Sequence, residues 1–251
     1  MLSKGLIKLI NSLEHKKYRE KHKLFIAEGE KLVKDLIKMG APVKVLISSK
    51  PFENVSKGTE CILCNQSEID KLSFLKNNQG IIALLEIKEK QPDFSSVNEK
   101  LSLGLDGIQD PGNMGTIIRL SNWFGIGTVF CSENCVDIYN PKVVQASMGA
   151  ILGVDIFYLD LEQCIKKLQK VADYEVYGSF MNGKSIYSSR LKKNGILIMG
   201  NEGNGISPKV ENLLTQKISI PAFNNEKRAA ESLNVSVATG ILLSEFARQR
   251  F

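Results

Sequence analysis

Three polar segments of the sequence carry residue types that could recognise or activate a ligand. They are 106-DGIQDPGNMGTIIR-119, 200-GNEGNGIS-207 and the region from Ile220 to Asn234. Each of them follows a short apolar run that is typical of a buried strand. Because ligands of parallel α/β sheets bind beyond the carboxyl ends of the strands, we expect the three segments to form one site.

The glycine-rich segment 200–207 lacks the residue pattern of a phosphate-binding loop. It has neither the GxxxxGK[ST] arrangement nor the GxGxxG spacing, and it carries Glu202 but no lysine. A carboxylate would repel a phosphate at close range, so the loop suits a neutral or cationic ligand that approaches the backbone closely. This disfavours a nucleotide-phosphate enzyme. The alternative is an ordinary strand-to-helix turn with Glu202 in solvent.

The first segment contains one amide and one guanidinium of interest. Pro111-Gly112 predicts a turn, and Asn113 has the side chain to cap the following helix. Arg119 lies six residues further on, about 600° around a helix, so it does not share a helical face with Asn113. Taken alone, Asn113 is predicted to be a cap and Arg119 a partner in a surface salt bridge.

The third segment joins a strand that ends at Pro221 to a helix opened by Ser232-Leu233-Asn234. The β-branched and bulky residues that follow predict a buried helix with small positions for close packing. As a pattern alone, this is a core helix with a polar start.

The elements that must position these segments alternate between strand and helix in two blocks. We predict helices at 3–22 and 29–39 and strands at 24–29, 43–48, 60–64 and 80–87, with a short helix near 67–72. The polar residues 88–100 are interpreted as a linker or surface connection. After it come strands near 101–108, 127–131, 154–159, 175–180, 195–199 and 217–221, and helices near 114–124, 141–151, 161–172, 208–214 and 232–248. This alternation predicts a parallel sheet covered on both faces.

The net charge of the 251-residue chain is +6, and it is unevenly distributed. Residues 1–50 hold twelve Lys and Arg and five Asp and Glu, a net +7, so the remainder carries −1. Such a basic segment indicates either a polyanion-binding module or a solvated helix face. Within this segment, the candidate contacts to a polyanion are Lys16, Lys17, Arg19, Lys21 and Lys23.

Composition excludes several protein classes. No apolar run approaches the ~20 residues that span a bilayer, and the N-terminus lacks the features of a signal peptide. Of five cysteines, Cys61 and Cys64 have metal-like spacing but no second pair completes a zinc site. We therefore expect no metal, no membrane association and reduced thiols of a cytoplasmic protein.

Taken together and in order, the segments resemble the motifs of the SpoU (TrmH) family of RNA ribose 2′-O-methyltransferases, part of the SPOUT superfamily. The matching stretches are 110-DPGNMG-115 with Arg119, 199-MGNEGNG-205 with Ser207, 220-IP-221 and 232-SLNVSVA-238. The stretches 16-KKYREKHKLFIAEGEKLV-33 and 79-QGIIALL-85 also resemble the family's substrate-binding domain.

The resemblance implies an α/β protein with two domains. Residues 1–90 would form a small ribosomal-protein-like RNA-binding domain, 91–100 a linker, and 101–251 a parallel-sheet methyltransferase domain with a deep trefoil knot. It further implies S-adenosylmethionine as cofactor, a homodimer formed through the catalytic domain, and methyl transfer to a ribose 2′-hydroxyl. Ribosomal RNA is expected as the substrate over transfer RNA.

By position, the resemblance also implies roles for individual residues. The cofactor contacts would be Gly200, Ile220, Ala222 and Leu233, and the catalytic-site residues would be Asn113, Arg119, Glu202, Ser232 and Asn234. For Arg119 two roles stay open. A neighbouring group could activate it as a base, or it could fix an RNA phosphate and stabilise the developing alkoxide; a free guanidinium is a poor base, which favours the second role.

The sequence departs from the family's pattern in the loop 222-AFNNEKRAAE-231. This loop is longer than is usual for the family and lacks its methionine and glycine. Long loops cost little stability, so the knot could still form. The departure leaves a second hypothesis open, a catalytically inactive RNA-binding protein with the same fold.

Overall fold

The computed structural model describes residues 2–53, 55, 57–97, 100–170, 173–223 and 232–250. The chain divides into two compact units. Unit 1 consists of residues 1–89 and 137–152, and unit 2 of residues 90–136 and 153–251. The segment 137–152 thus groups with unit 1, whereas the sequence places it within the domain 101–251.

Helices and strands alternate along the described residues. Helices α1 to α10 span, in order, Lys4–Ser12, Lys16–His22, Glu30–Lys38, Gln66–Asp70, Phe94–Val97, Pro111–Trp123, Pro141–Ser147, Leu161–Leu168, Pro208–Glu211 and Val235–Arg248. Strands β1 to β10 span, in order, Leu24–Glu28, Val43–Ser48, Glu60–Leu63, Ile81–Glu86, Leu101–Asp106, Thr128–Cys131, Asp155–Tyr158, Glu175–Ser185, Gly195–Gly200 and Gln216–Ser219.

Unit 1 is built on a mixed four-stranded sheet in the order β1-β4-β2-β3. β4 runs antiparallel to both β1 and β2, and β3 runs parallel to β2. All five residues of β1 are buried, as expected for a strand that is covered on both faces. The predicted single helix over 3–22 is wrong, because α1 and α2 are separate helices that flank residues 13–15.

Unit 2 is built on a six-stranded sheet in the order β10-β8-β9-β5-β6-β7, in which every pairing is parallel. This confirms the predicted parallel α/β sheet. β5 pairs with β6 on one side and with β9 on the other, so the chain reverses its direction across the sheet between β5 and β9. Such a switch point opens a crevice at the carboxyl ends of the strands.

Several predicted element boundaries shift in the structure. α9 is four residues long rather than seven, and α10 begins at Val235 rather than at Ser232. β8 continues to Ser185 and is eleven residues long. The trefoil knot stays a prediction, because strand order alone does not define the path of the chain through the loops.

Candidate functional site

The N-cap of α6 is Asp110, and this releases Asn113 for other contacts. The Asp110 carboxylate accepts a hydrogen bond from the backbone N–H of Asn113 at 2.7 Å, and Pro111 occupies the first turn. The prediction that Asn113 caps the helix is therefore wrong. Asp satisfies the free N–H groups of a helix start as well as Asn does, and it precedes the proline that begins the helix.

A chain of side-chain hydrogen bonds joins the three predicted segments within unit 2. Asn234 Nδ2 donates to Asn113 Oδ1 at 2.9 Å, and Asn113 Nδ2 donates to Glu202 Oε1 at 2.7 Å. Asn113 lies in the first turns of α6, Glu202 follows β9, and Asn234 precedes α10. Three residues that are far apart in sequence therefore meet at the carboxyl edge of the sheet.

The direction of this chain is fixed at the start of α10. Asn234 Oδ1 accepts hydrogen bonds from the N–H groups of Ser236 and Val237, at 3.0 and 3.3 Å, and from the Ser236 hydroxyl at 2.6 Å. Its Nδ2 can then only donate, so Asn113 must accept with Oδ1 and donate with Nδ2. The last member must be an acceptor, which an ionised glutamate provides.

The loop after β9 folds back on its own backbone. Asn201 and Gly205 exchange two backbone hydrogen bonds at 2.9 Å. A Cβ added at Gly200 would lie 2.3 Å from the carbonyl carbon of Gly205. The close approach that the sequence predicts for a ligand is thus, at Gly200, made by the loop itself, and it excludes every residue with a side chain there.

Arg119 stands apart from the hydrogen-bonded chain. Its side chain is exposed on α6 and makes no hydrogen bond or ion pair with any described residue. The surface salt bridge predicted for Arg119 alone is therefore not formed among these residues. A guanidinium keeps its charge at any physiological pH, so Arg119 is available to an anionic ligand.

At the expected cofactor positions beyond Gly200, the backbone groups have no partners among the residues that the structure describes. The main-chain polar groups of Ile220, Ala222 and Leu233 make no hydrogen bond with other described residues. The side chain of Leu233 is half-exposed, at 50%. Half-exposed apolar surface beside unpaired backbone donors and acceptors fits a ligand with both a flat apolar face and polar edges. These residues therefore fit S-adenosylmethionine.

Ser232 is exposed and forms no hydrogen bond with the rest of the described chain. It does not join the chain through Asn113, although the sequence groups it with the catalytic-site residues. Of the loop 222–231, Ala222 is exposed and Phe223 is 89% exposed. Residues 224–231 lie outside the described residues, so the consequence of the longer loop stays a prediction.

A buried thiol lies behind the loop that leads to Asn113. The Cys135 thiol donates to the Leu105 carbonyl at 3.3 Å. The pKa of Cys135 is lowered to about 7, chiefly by a hydrogen bond from the Cys131 thiol; burial opposes this, and Ser132 and the backbone N–H groups of Ile108 and Gly107 add to the lowering. The pKa of the fully buried Cys131 is correspondingly raised.

Arg19 does not lie on the basic surface where the sequence places it. It is 2% exposed, and its Nε and Nη2 donate to Asp137 Oδ2 at 2.8 and 2.6 Å. Its Nη1 donates to the carbonyls of Leu13 and Glu14, each at 2.7 Å. The guanidinium thereby ties the junction of α1 and α2 to the segment 137–152. A buried and paired guanidinium cannot reach an RNA phosphate, so we assign Arg19 a structural role.

The four lysines of the same group are exposed in unit 1. Lys16 pairs with Glu20 at 3.8 Å, and Lys23 pairs with Glu89. Lys17 lies over the Tyr18 ring, 5.9 Å from its centroid, and Tyr18 stacks on His22. Among the described residues, Lys17 and Lys21 have no acidic partner. A cationic surface with interleaved rings remains on α2 without Arg19.

Two polar residues that hold the loops together were not among the predicted site residues. Asp106 is 7% exposed, and its Oδ2 accepts the backbone N–H of Ser207 at 2.7 Å. Asn201 donates through Nδ2 to the Gly107 carbonyl at 2.7 Å. Asp106 is the last residue of β5, and Asn201 directly follows β9. A polar residue at the end of a buried apolar run was the sequence signal that could have identified both of them.

The described residues contain no group of three or more His, Cys, Asp or Glu side chains that could hold a metal ion. In the same part of the chain, no helix combines the length and apolar character that crossing a bilayer requires.

Comparison with known proteins agrees with this geometry. Residues 100–244 match the SpoU rRNA Methylase family, and residues 4–83 match the MRM3-like substrate binding domain. The chain is 27% identical over 235 residues to the 23S rRNA (guanosine(2553)-2′-O)-methyltransferase RlmP of Bacillus subtilis, covering 92% of this chain and 91% of that protein.

Two solved structures have the same fold over nearly their whole length. An RNA methyltransferase of the TrmH family from Porphyromonas gingivalis is 36% identical, with a TM-score of 0.86 over 99% of both chains. An AdoMet-bound rRNA methyltransferase from Sinorhizobium meliloti is 26% identical, with a TM-score of 0.86 over 100% of this chain and 97% of that one. Since the family match alone spans more than half of the sequence, the chain belongs to the SpoU rRNA methylase family.

Proposed function

We propose that the protein is an S-adenosylmethionine-dependent methyltransferase that modifies a ribose 2′-hydroxyl of ribosomal RNA. The observation that carries this proposal is the chain from Asn234 through Asn113 to Glu202, which joins three family motifs at the switch point of a parallel sheet. The substrate named for the Bacillus subtilis relative supports ribosomal RNA. A bacterial ribosomal substrate would place the enzyme in the cytoplasm.

The residues that would hold the cofactor are Gly200, Ile220, Ala222 and Leu233, through their backbone groups. When bound, S-adenosylmethionine supplies a methyl group on a positively charged sulfonium. Glu202 places a carboxylate on the loop that would face this charge, whereas it would repel a phosphate. The AdoMet-bound structure from Sinorhizobium meliloti supports the same cofactor here.

Asn113, Glu202 and Asn234 would act as a preorganised frame for the ribose. Their mutual hydrogen bonds fix each amide in one orientation before any ligand arrives. Holding reacting groups at about 3–3.5 Å in line supplies much of the rate of a transfer between two bound molecules. The remaining lone pairs of Glu202 are available to a hydroxyl donor, which gives the 2′-hydroxyl one fixed direction.

Arg119 would stabilise the charge that develops on the attacking oxygen. Since no described residue pairs with it, its guanidinium can approach an RNA phosphate or the ribose oxygen. A guanidinium is a very poor base, because it already carries its proton and does not readily release it. We therefore assign Arg119 electrostatic stabilisation and phosphate binding rather than proton abstraction.

Unit 1 would bind RNA through α2. The match to a substrate-binding domain covers this helix, and Lys17 and Lys21 present charges that no described acidic side chain neutralises. Such contacts go mainly to phosphates and weaken steeply as the salt concentration rises. Tyr18 and His22, which stack on each other, offer flat faces beside these charges.

The enzyme would act as a homodimer that associates through α6 and α10. On unit 2 these helices pack against each other and leave an apolar groove whose lining includes Val237, which is 51% exposed. Trp123, the last residue of α6, is 81% exposed. Thr116, Leu120 and Gly240 line the same groove. Contiguous exposed apolar surface of this kind marks an interaction site, and a second copy offers a complementary apolar face.

The test combines cofactor binding with methyl transfer. Calorimetry with S-adenosylmethionine should give one site per chain, and large-subunit ribosomal RNA should accept labelled methyl groups. Absence of cofactor binding would favour the inactive RNA-binding protein. Cofactor binding with transfer only to transfer RNA would remove ribosomal RNA from the proposal.

A further inference from the structure

The peptide group of Gly107 is held on both sides at the end of the central strand β5. Its N–H donates to Ser132 Oγ at 2.8 Å, and its carbonyl accepts from Asn201 Nδ2 at 2.7 Å. Gly107 has a φ of +74°, and a Cβ there would lie 3.1 Å from Asn134 Nδ2. The turn after β5 thus has one conformation, which the ends of β6 and β9 enforce.

Asn201 provides the contact from β9 and uses every polar group that it has. Its Oδ1 accepts the N–H groups of Gly203 and Asn204, each at 2.9 Å, while its Nδ2 reaches across to Gly107. Its backbone N–H and carbonyl pair with Gly205. One face of the side chain therefore shapes its own loop, and the other face ties that loop to the neighbouring one.

The two loops are joined a second time by the pair that we place in the active site. Glu202 directly follows Asn201, and Asn113 lies six residues after Gly107. The contacts from Asn201 to Gly107 and from Asn113 to Glu202 are each 2.7 Å long. The two contacts close a ring of backbone and side chains. Within this ring, the contact from Asn201 to Gly107 sets the distance between Asn113 and Glu202.

We infer that Asn201 is a positioning residue for methyl transfer, which holds Glu202 within hydrogen-bonding distance of Asn113. This inference rests on the proposed function. The amide of Asn201 bonds to the protein on both sides and so acts through Glu202, without touching RNA or cofactor. Its loss should lower turnover while RNA affinity stays, because RNA is bound mainly by phosphate contacts elsewhere.

The chemistry of Asn201 allows its two tasks to be separated. Asn201→Asp keeps an oxygen for the N–H groups of Gly203 and Asn204 but replaces the donor to Gly107 with a second acceptor. Asn201→Ala removes both sets of contacts. Asn204→Ala is the matched control, because that side chain lies on the same loop, is exposed and makes no hydrogen bond with the described residues.

The experiment measures kcat, the KM for RNA, and thermal unfolding for the four proteins. We expect kcat to fall about 10-fold to 100-fold in Asn201→Asp and at least as far in Asn201→Ala, since misplacement by about 1 Å can cost 100-fold. KM for RNA should stay within about twofold, and Asn204→Ala should match the wild type in every measurement.

Three results would overturn the inference. The first is a kcat of Asn201→Asp within twofold of the wild type. The second is an activity loss in this variant that is matched by an equal loss of folded protein. The third is the absence of methyl transfer by both the wild type and Asn204→Ala. This third result would refute the proposed function as well.

Discussion

The pair formed by Asn113 and Glu202 allows a sharp test, because its two members can exchange chemical roles. In Asn113→Asp, one carboxylate oxygen can still accept from Asn234, but the other now faces Glu202 where an N–H donated at 2.7 Å. In the double variant Asn113→Asp/Glu202→Gln, the glutamine amide can donate to the new aspartate. The double variant restores the hydrogen bond with the direction reversed.

The size of the effect follows from the geometry. The single Asn113→Asp variant loses a hydrogen bond to a charged acceptor, which is worth about 1.5–3 kcal/mol. It also gains repulsion between two carboxylates, about 1 kcal/mol at 4 Å in water and about 4 kcal/mol at an effective dielectric constant of 20. Because Glu202 and Asn234 are exposed, the lower values apply. We expect a loss of about 2–3 kcal/mol, a 30-fold to 150-fold drop in kcat/KM if the pair must form for transfer.

The assay is a double-mutant cycle on kcat/KM for methyl transfer, with Asn113→Asp, Glu202→Gln and the double variant. We predict that the double variant is more active than Asn113→Asp, with a coupling free energy of at least about 1.5 kcal/mol. The repulsion raises the pKa of one carboxylate, so the activity of Asn113→Asp relative to wild type should recover as the pH falls. Effects that add within about 0.5 kcal/mol would refute the reasoning.

Four further predictions concern other parts of the molecule. Arg119→Ala should lose at least 100-fold in kcat while calorimetry shows unchanged cofactor binding, and Arg190→Ala, also an exposed arginine, should retain activity; near-normal turnover of Arg119→Ala would remove it from the mechanism. Lys17→Ala should weaken RNA binding and lower the slope of log K against log salt by about 1, whereas an unchanged slope would exclude a phosphate contact. Trp123→Lys should halve the mass measured by light scattering without unfolding the protein, and a persistent dimer would contradict the proposed interface. Cys135 should titrate near pH 7 in thiolate absorbance, a transition that Cys135→Ser abolishes; its lowered pKa stabilises the fold above the unfolded thiol's pKa of about 8.5, and that gain is lost as the pH falls through about 7.

Periodicity and turn residues predict much of the fold, because the apolar strands of a parallel sheet are continuous runs bounded by turns. The strand 43–48 is found at its predicted bounds, and the parallel sheet of unit 2 is confirmed. The grouping of 137–152 with unit 1 was not foreseen. It involves the ion pair between the buried Arg19 and the partly buried Asp137, which are 118 residues apart in sequence.

At the site, too, tertiary contacts decide what the sequence alone could not predict about single side chains. Asn113 and Asp110 both have the chemistry of a helix cap, and which one caps depends on where the helix begins. Arg19 has the composition of an RNA contact, and burial removes it from the surface. Gly200 was expected to allow the close approach of a ligand, and on the side where a Cβ would stand the structure shows the backbone of its own loop. In each case residue type limits the options, and the tertiary neighbour decides among them.

The central claim is methyl transfer to a ribose 2′-hydroxyl, and one measurement tests it directly. Purified protein is incubated with labelled S-adenosylmethionine and large-subunit ribosomal RNA, and the RNA is then hydrolysed in alkali. A 2′-O-methyl group blocks cleavage at its own nucleotide, so the proposal predicts label in an alkali-resistant dinucleotide. At equal enzyme concentration and short reaction time, Asn113→Asp should give about 30-fold to 150-fold less of this label than the wild type. Label in mononucleotides, or no transfer to RNA by the wild type, would contradict the claim.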